Sequence, residues 1–324
     1  MDKVVSIIIP AKNEAVGIGM IVDAVFSRVT EAGYIPHIII VDDGSTDDTY
    51  SRAIEIASLR KGTRVLRLSR NFGKEAAIAA GLFAADGSAA IVMDADFQHP
   101  VDIVPRMLAA WQDGYNIVET VKVRRASETV LNRLSSRMFY FLFRFLTRFD
   151  ISQTTDFKLL DRKVIDQWKQ LNETHLFFRG MVAWLGFRKR QIPIETLERL
   201  EGTSKWSNVH LVVYAMRSIL SFSPFLLYVA SFATLILSAI TAIIGIRGLW
   251  VKMSGQVLDG LTIIILTQSV IGTALMLGMS AICGYLSLIF EELKKRPRFV
   301  IAETYPRVDV NAGPIEYAAG EARI

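Results

Sequence analysis

Cysteine is almost missing from this chain: Cys283 is the single one in 324 residues. One thiol cannot close a disulfide within the chain, and it cannot build a cysteine-rich metal site. Histidine is scarce too, and His37, His99, His175 and His210 show no paired-ligand spacing. Charge is absent from two stretches, residues 225–246 and 261–290. Each is longer than the roughly 20 apolar residues that cross a bilayer. No such stretch occurs earlier. The first apolar run, residues 4–9, is too short for a secretion-signal core and breaks at Pro10. No secretory leader is therefore expected, and the N-terminal part is expected to stay in the cytoplasm.

What is present is an alternation of short apolar runs and helical patterns. Residues 4–9 read as a buried strand ended by Pro10, and a helix is expected over 16–29. Gly17-x-Gly19 lacks the third glycine of a dinucleotide loop, because Val22 holds that place, and is set aside. Residues 38–41 make a second strand. Asp42 to Asp48 is a turn rich in capping residues, with a helix following to about residue 59. Residues 65–68 make a third strand, 75–85 a helix of small residues, and 89–93 a fourth strand. Further on, 114–123 and 191–195 read as strands and 176–190 as a helix. This order argues for an α/β fold with a mostly parallel sheet. Ligands of such sheets bind beyond the carboxyl ends of the strands, where Glu14, Asp42, Asp43, Asn71, Asp94 and Asp96 all fall. Asp43 and Ser45 could equally cap a helix, which does not exclude ligand binding.

Asp94-Ala95-Asp96 closes the fourth strand, with Gln98, His99 and Pro100 just beyond. Residues two apart on an extended chain point the same way, so both carboxylates are expected to face one spot. They repel unless a cation lies between them. A divalent ion with oxygen ligands is the simplest such cation; a solvated turn is the plain alternative. His99 reads as a neighbour of this cluster and not as a ligand.

Residues 122–148 carry Lys122, Arg124, Arg125, Arg133, Arg137, Arg144 and Arg148 against one acid, Glu128. Arg133, Arg137, Arg144 and Arg148 share one helical face, and Phe139, Tyr140, Phe141, Phe143, Phe145 and Phe149 crowd the same helix. A basic, aromatic helix beside apolar spans reads as one lying in a membrane interface. Ordinary core packing is the alternative. Nucleic-acid binding is set aside, because two apolar spans accompany the patch and no nucleic-acid motif does.

Four strings, VSIIIPAKNE, VDDGSTDDT, RNFGKEAAIAAGL and DADFQHP, together resemble the nucleotide-sugar domain of family 2 glycosyltransferases, a GT-A-like sheet domain. The likeness continues through DFKLLDR at 156–162, Arg199-x-x-Gly202-x-Ser204-Lys205-Trp206, two apolar helices and Lys295-Arg296-Pro297-Arg298-Phe299-Val300. That order resembles the polyprenyl-phosphate glycosyltransferases, the bactoprenol glucosyltransferases especially, with dolichol-phosphate mannose synthase more distant.

The resemblance implies roles by position. Pro10, Ala11, Asn13 and Glu14 match the loop around base and ribose, and Asp42 and Asp43 the uridine and ribose contacts. Asn71, Gly73 and Lys74 match donor-binding residues. Asp94, Ala95 and Asp96 would face the donor's diphosphate, with Asp94, Asp96 and Gln98 around Mg²⁺ or Mn²⁺. Asp156 matches the acidic residue of the acceptor-side motif, so catalytic roles fall to Asp94, Asp96 and Asp156. A polyprenyl phosphate keeps its tail in lipid and its phosphate at the interface, where guanidinium groups bind it bidentately. Arg125 and Arg133, with Ser136, are the candidates, joined by Arg199 and Lys205 from the 199–206 loop. That loop could also be a simple linker with Trp206 facing the membrane. A phosphate monoester is largely a dianion at pH 7, its second pKa being about 6. Asp156 is therefore free to orient sugar or acceptor without abstracting a proton, and a single displacement inverts the anomeric carbon.

The expected layout is a cytoplasmic transferase domain at 1–123 and 150–200 with amphipathic interface helices at 124–149 and 205–222. Relatives carry an Asp-Gly pair in the second of these helices where Arg217-Ser218 stands here. Transmembrane helices are expected at 225–248 and 261–290. A cytoplasmic tail at 291–324 holds a possible strand at 299–303 and a disordered end from 311. Lys and Arg are richer on both outer flanks than in the loop between the spans, which places both flanks in the cytoplasm, at the inner membrane. The implied reaction moves one sugar, glucose by resemblance, from a UDP-sugar to undecaprenyl phosphate; galactose, N-acetylated sugars and aminoarabinose stay open. A homo-oligomer, a tetramer by resemblance, is expected. A processive polysaccharide synthase would carry Q-x-x-R-W, and no Arg-Trp pair occurs. A non-catalytic scaffold would lose its carboxylates first, yet Asp94, Asp96 and Asp156 remain.

Overall fold

A computed structural model describes residues 3–96, 99–122, 154–171, 173, 176–194, 225–254 and 260–306. Gln98, Arg125, Arg133, Ser136, Arg199, Lys205, both expected interface helices and the tail from 311 lie outside the described residues. Two compact units are present: a sheet with its helices, which includes the returning C-terminal strand, and a pair of long helices.

The sheet unit begins with β1 (Val4–Ala11), α1 (Ile18–Glu31), β2 (Ile35–Asp42), α2 (Thr49–Leu59), β3 (Thr63–Leu68), α3 (Lys74–Ala84) and β4 (Ala89–Val92). A short 3₁₀ turn, Val101–Ile103, leads into α4 (Val104–Gln112). Then come β5 (Ile117–Lys122), β6 (Thr154–Asp161), α5 (Arg162–Gln170), α6 (Phe178–Trp184) and β7 (Lys189–Ile194). The strand order is β7-β5-β6-β4-β1-β2-β3-β8, where β8 is Ile301–Tyr305. Six strands run the same way, and β6 and β8 run against them, so the sheet is mixed.

The apolar runs become central strands because helices cover both faces. Val5, Ile7, Ile9, Ile38, Ile40, Ile91 and Phe157 lie in one buried cluster. β1 passes through Pro10 to Ala11 rather than ending at it. Ile8 O accepts from Met93 N and Ala11 O from Asp43 N, so Pro10 faces the β4 side after that pairing has ended. Its missing N–H therefore costs the ladder nothing. α3 is built of alanines and lies flat on β1: a Cβ at Gly81 would run into the Ile8 side chain. The helix expected over 176–190 is shorter, because Gly186 takes a left-handed φ of 67° and β7 starts at Lys189.

β6 is the strand that the apolar pattern does not announce. TTDFKLLD is buried over its first seven positions yet polar at four of them. Lys158 is buried because Glu119, opposite it on β5, accepts from its Nζ at 2.7 Å. Gln191 and Lys189 converge on the other Glu119 oxygen at 2.8 and 3.2 Å. Burial works against the charge on both partners, but these three donors hold Glu119 below its ordinary value.

β8 pairs antiparallel with β3, two residues later than the expected 299–303. Ser69 N donates to Val300 O at 2.9 Å, and Phe299 packs on Phe83 with ring centroids 6.0 Å apart.

In the second unit α7 (Phe225–Met253) packs along α8 (Gly260–Leu293). Ile263–Ser287 is long and apolar enough to cross a membrane, with mean hydropathy 1.8. In α7 the apolar part, Phe232–Gly248, is shorter than such a span.

Candidate active site

β1, β2, β3 and β4 are parallel, so their carboxyl ends meet at one edge of the sheet. β6 enters that edge from the opposite direction. Its pairing with β4 ends at Lys158 with Val92, which brings Asp156 to the end of β4 where the chain runs on to Asp94.

Three loops interlock at the β1–β2–β3 end. Asn13 sits at φ 54°, donates from its N to Ser45 Oγ at 2.9 Å, and accepts from Thr46 N at 2.9 Å. Glu14 N donates to Thr49 Oγ1 at 2.8 Å. Asp42 is fully buried and accepts from Ser45 N at 3.1 Å. Asp43 accepts from Phe72 N at 2.7 Å and Gly73 N at 3.0 Å, so it ties this turn to the next loop. Asn71 Oδ1 accepts from Gly73 N at 3.1 Å. Burial pushes Asp43 above its ordinary value despite these donors. Gly44 holds φ 64°, and a Cβ there would meet the Arg70 carbonyl carbon and Asn71 N at 2.7 Å. Only glycine lets the two loops approach so closely. Neither Asp43 nor Ser45 caps α2, which starts after Asp48.

At the β4–β6 end the expected geometry changes. β4 stops at Val92, so Asp94, Ala95 and Asp96 occupy the bend beyond it and not an extended strand. The carboxylates that share a cation are Asp94 and Asp156, and the cation is Lys74, the first residue of α3. Its Nζ lies 2.6 Å from Asp94 Oδ1 and 2.6 Å from Asp156 Oδ2. Arg179, early in α6, grips Asp156 with two nitrogens, Nε at 2.6 Å and Nη2 at 3.1 Å. α3 also anchors that helix: Glu75 accepts from Phe178 N at 2.8 Å. His99 Nε2 stands 3.5 Å from Asp94 Oδ2, beside the cluster as expected.

The charges here lock one another. Burial opposes ionisation of Asp94, but Lys74 and His99 hold it down to about 2. Burial opposes ionisation of Asp156 as well, and Lys74 and Arg179 hold it well below the usual carboxylate range. Burial pulls Lys74 down, and the two carboxylates more than reverse that. Lys122, at the end of β5, is weakened as a cation by burial and by Arg179.

The structure thus gathers Asn13, Asp42, Asp43, Asn71 and Gly73 into one set of loops, and Lys74, Asp94 and Asp156 into one cluster. Pro10 and Ala11 end β1 beside the first set. Among the described residues no group of three or more His, Cys, Asp or Glu side chains is arranged to hold a metal. Arg179 is the site residue that sequence reasoning does not reach. It sits in an aromatic run, and its partner Asp156 is 23 residues away.

Residues 6–169 match the family model described as glycosyl transferase family 2. The chain is 31% identical over 308 residues to the uncharacterized glycosyltransferase YkcC of Bacillus subtilis, covering 93% of this chain and 94% of that protein. It is 30% identical over 302 residues to the bactoprenol glucosyl transferase of Shigella phage SfX, covering 92% and 98%. Among solved structures, glucosyl-3-phosphoglycerate synthase from Mycobacterium tuberculosis, in complex with Mn²⁺, UDP and phosphoglyceric acid, superposes with a TM-score of 0.51 at 19% identity. The superposition covers 68% of this chain and 76% of that one, and shows a common fold.

Proposed function

The chain belongs to glycosyl transferase family 2, and from that premise we propose that it moves a single glucose from UDP-glucose to polyprenyl phosphate at the cytoplasmic face of a membrane. The observation that carries the reading is the convergence of Asp94 and Asp156 on Lys74, next to the interlocked loops of Asn13, Asp42, Asp43 and Asn71. The relatives named bactoprenol glucosyl transferase support a lipid acceptor and glucose. The apolar span in α8 supports a membrane location, and α7 is proposed as the second span.

In this reading the donor's nucleoside lies against the Asn13, Asp42 and Asn71 loops, and its diphosphate points toward Lys74 and Asp94. The acceptor phosphate oxygen attacks the anomeric carbon as the bond from that carbon to UDP breaks, with inversion. Asp156 does not take the proton, because two cations hold it ionised and weakly basic while the phosphate is already mostly dianionic. It orients the sugar and keeps Lys74 and Arg179 in place for the incoming negative charge. Arg125, Arg133, Ser136, Arg199 and Lys205 are proposed for the acceptor phosphate. Asp94 and Asp96 are hard oxygen donors in one bend, and Asp94 already takes a cation in Lys74, so the donor set fits Mg²⁺ or Mn²⁺, with Gln98 proposed to complete it. When bound, that ion neutralises charge on the departing diphosphate.

Membranes carrying the protein are incubated with a panel of labelled nucleotide sugars and undecaprenyl phosphate. UDP-glucose should put label into the butanol phase, and excess EDTA should stop it. Label appearing only in a polymer, or with no donor at all, overturns the proposal.

A further inference from the structure

Three residues lie in register across three neighbouring strands: Asp42 on β2, Arg67 on β3 and Glu303 on β8. The first ends a donor-side strand and the last belongs to the strand that returns after α8. Arg67 stands between two carboxylates and is ion-paired with both, but it is hydrogen-bonded to only one of them. Its Nη1 donates to Glu303 Oε1 at 2.9 Å, while its Nε stops 3.6 Å from Asp42 Oδ2. Tyr50 fixes it further: the guanidinium lies over the Tyr50 ring at 4.6 Å, and the Tyr50 hydroxyl donates to Glu303 Oε2 at 3.1 Å. Asp42 Oδ2 therefore remains buried without a hydrogen bond, although Oδ1 accepts from Ser45 N. A buried carboxylate oxygen left without a donor is costly, so something must reward it.

We infer that Glu303 is a positioning residue that holds Arg67 out of hydrogen-bond range of Asp42, and so leaves one buried carboxylate oxygen without a protein donor, to accept from an N–H or O–H of the nucleoside. The inference rests on the donor reading above and assigns the C-terminal strand a share in donor affinity. If Glu303 releases Arg67, the guanidinium closes the gap to Asp42 and occupies that oxygen itself. The Arg67–Glu303 pair is too exposed to add much stability, its side chains being 37% and 52% accessible. Its effect should therefore appear in binding and not in folding.

The test uses the full-length enzyme in detergent, with UDP binding by calorimetry, transfer kinetics and thermal melting. Glu303→Gln should raise the UDP Kd and the UDP-sugar KM by about fivefold to tenfold, the order of one net hydrogen bond. The kcat, the lipid KM and the melting temperature should stay put. In an Arg67→Gln background the same Glu303→Gln change should have no further effect on UDP affinity, because Glu303 acts through Arg67. Unchanged UDP affinity in Glu303→Gln, or a loss of the same size in both backgrounds, overturns the inference. So does a fall in kcat and melting temperature that accompanies the change in KM, since that marks a merely structural strand. If the wild-type protein binds no UDP, the donor reading fails and takes this inference with it. If it binds UDP and transfers sugar while Glu303→Gln matches it, only this inference fails.

Discussion

Asp43 and Asp156 are both buried carboxylates at the same edge of the sheet, yet they are held by different means. Asp43 accepts from the backbone N–H groups of Phe72 and Gly73. Asp156 is gripped by side chains, Lys74 and Arg179. A backbone donor is fixed once the chain folds, whereas a lysine or arginine side chain can turn to a new anion. The β1–β2–β3 loops are thus preset by backbone, whereas the cations of the β4–β6 cluster are held by side chains alone. Under the proposed function, the contrast would separate the part of the site that recognises from the part that reacts.

The sharpest way to break this contrast is to remove charge from the side-chain cluster. Asp94→Asn or Asp156→Asn should cut transfer of label to lipid by about 10³-fold, the order seen when a preorganised electrostatic group is lost at a reaction centre. The melting temperature should hold within a few degrees. Arg179→Ala should lower kcat by about 10²-fold, since a nearly buried carboxylate then keeps one of its two cations, and Arg179→Lys should recover part of it. On the preset side, Gly44→Ala should act through shape. Strain of about 1–3 kcal/mol in a left-handed turn, with a Cβ pressed on Asn71, should raise the donor KM by about tenfold and leave the lipid KM alone. The smallest effect on transfer belongs to Glu119→Gln, away from both sets. It should cost about 3 kcal/mol of stability at neutral pH, because Lys158 is left buried without its counter-charge. Glu119 is held below its ordinary value, so its contribution is present above a pH of about 4.3 and fades below it. Urea unfolding across that range should show the mutant and wild-type curves converging as the pH falls.

Where local pattern decides structure, the sequence was readable. β1, β2 and β4 are apolar runs between turns, and the α3 alanines mark a helix packed close on a strand. Glu14, Asp42, Asp43 and Asn71 fall at strand ends because a parallel sheet puts them there. Long-range pairing was not readable. β6 hides because Lys158 and Glu119 neutralise each other from separate strands, which leaves no apolar signature in TTDFKLLD. Arg179 hides in an aromatic run, and Arg67 gives no sign that Glu303, 236 residues away, will bind it. The Asp94-x-Asp96 spacing suggests one extended strand, but β4 ends at Val92, two residues before Asp94, and the chain bends there.

The order of synthesis gives β8 a last consequence. Until residue 305 has left the ribosome, β3 has an open flank of unpaired N–H and C=O groups, a template for any stray strand. Both long apolar helices are made before that flank is sealed. A message truncated anywhere upstream of β8 would therefore leave a polypeptide prone to clump, and not simply a shorter enzyme.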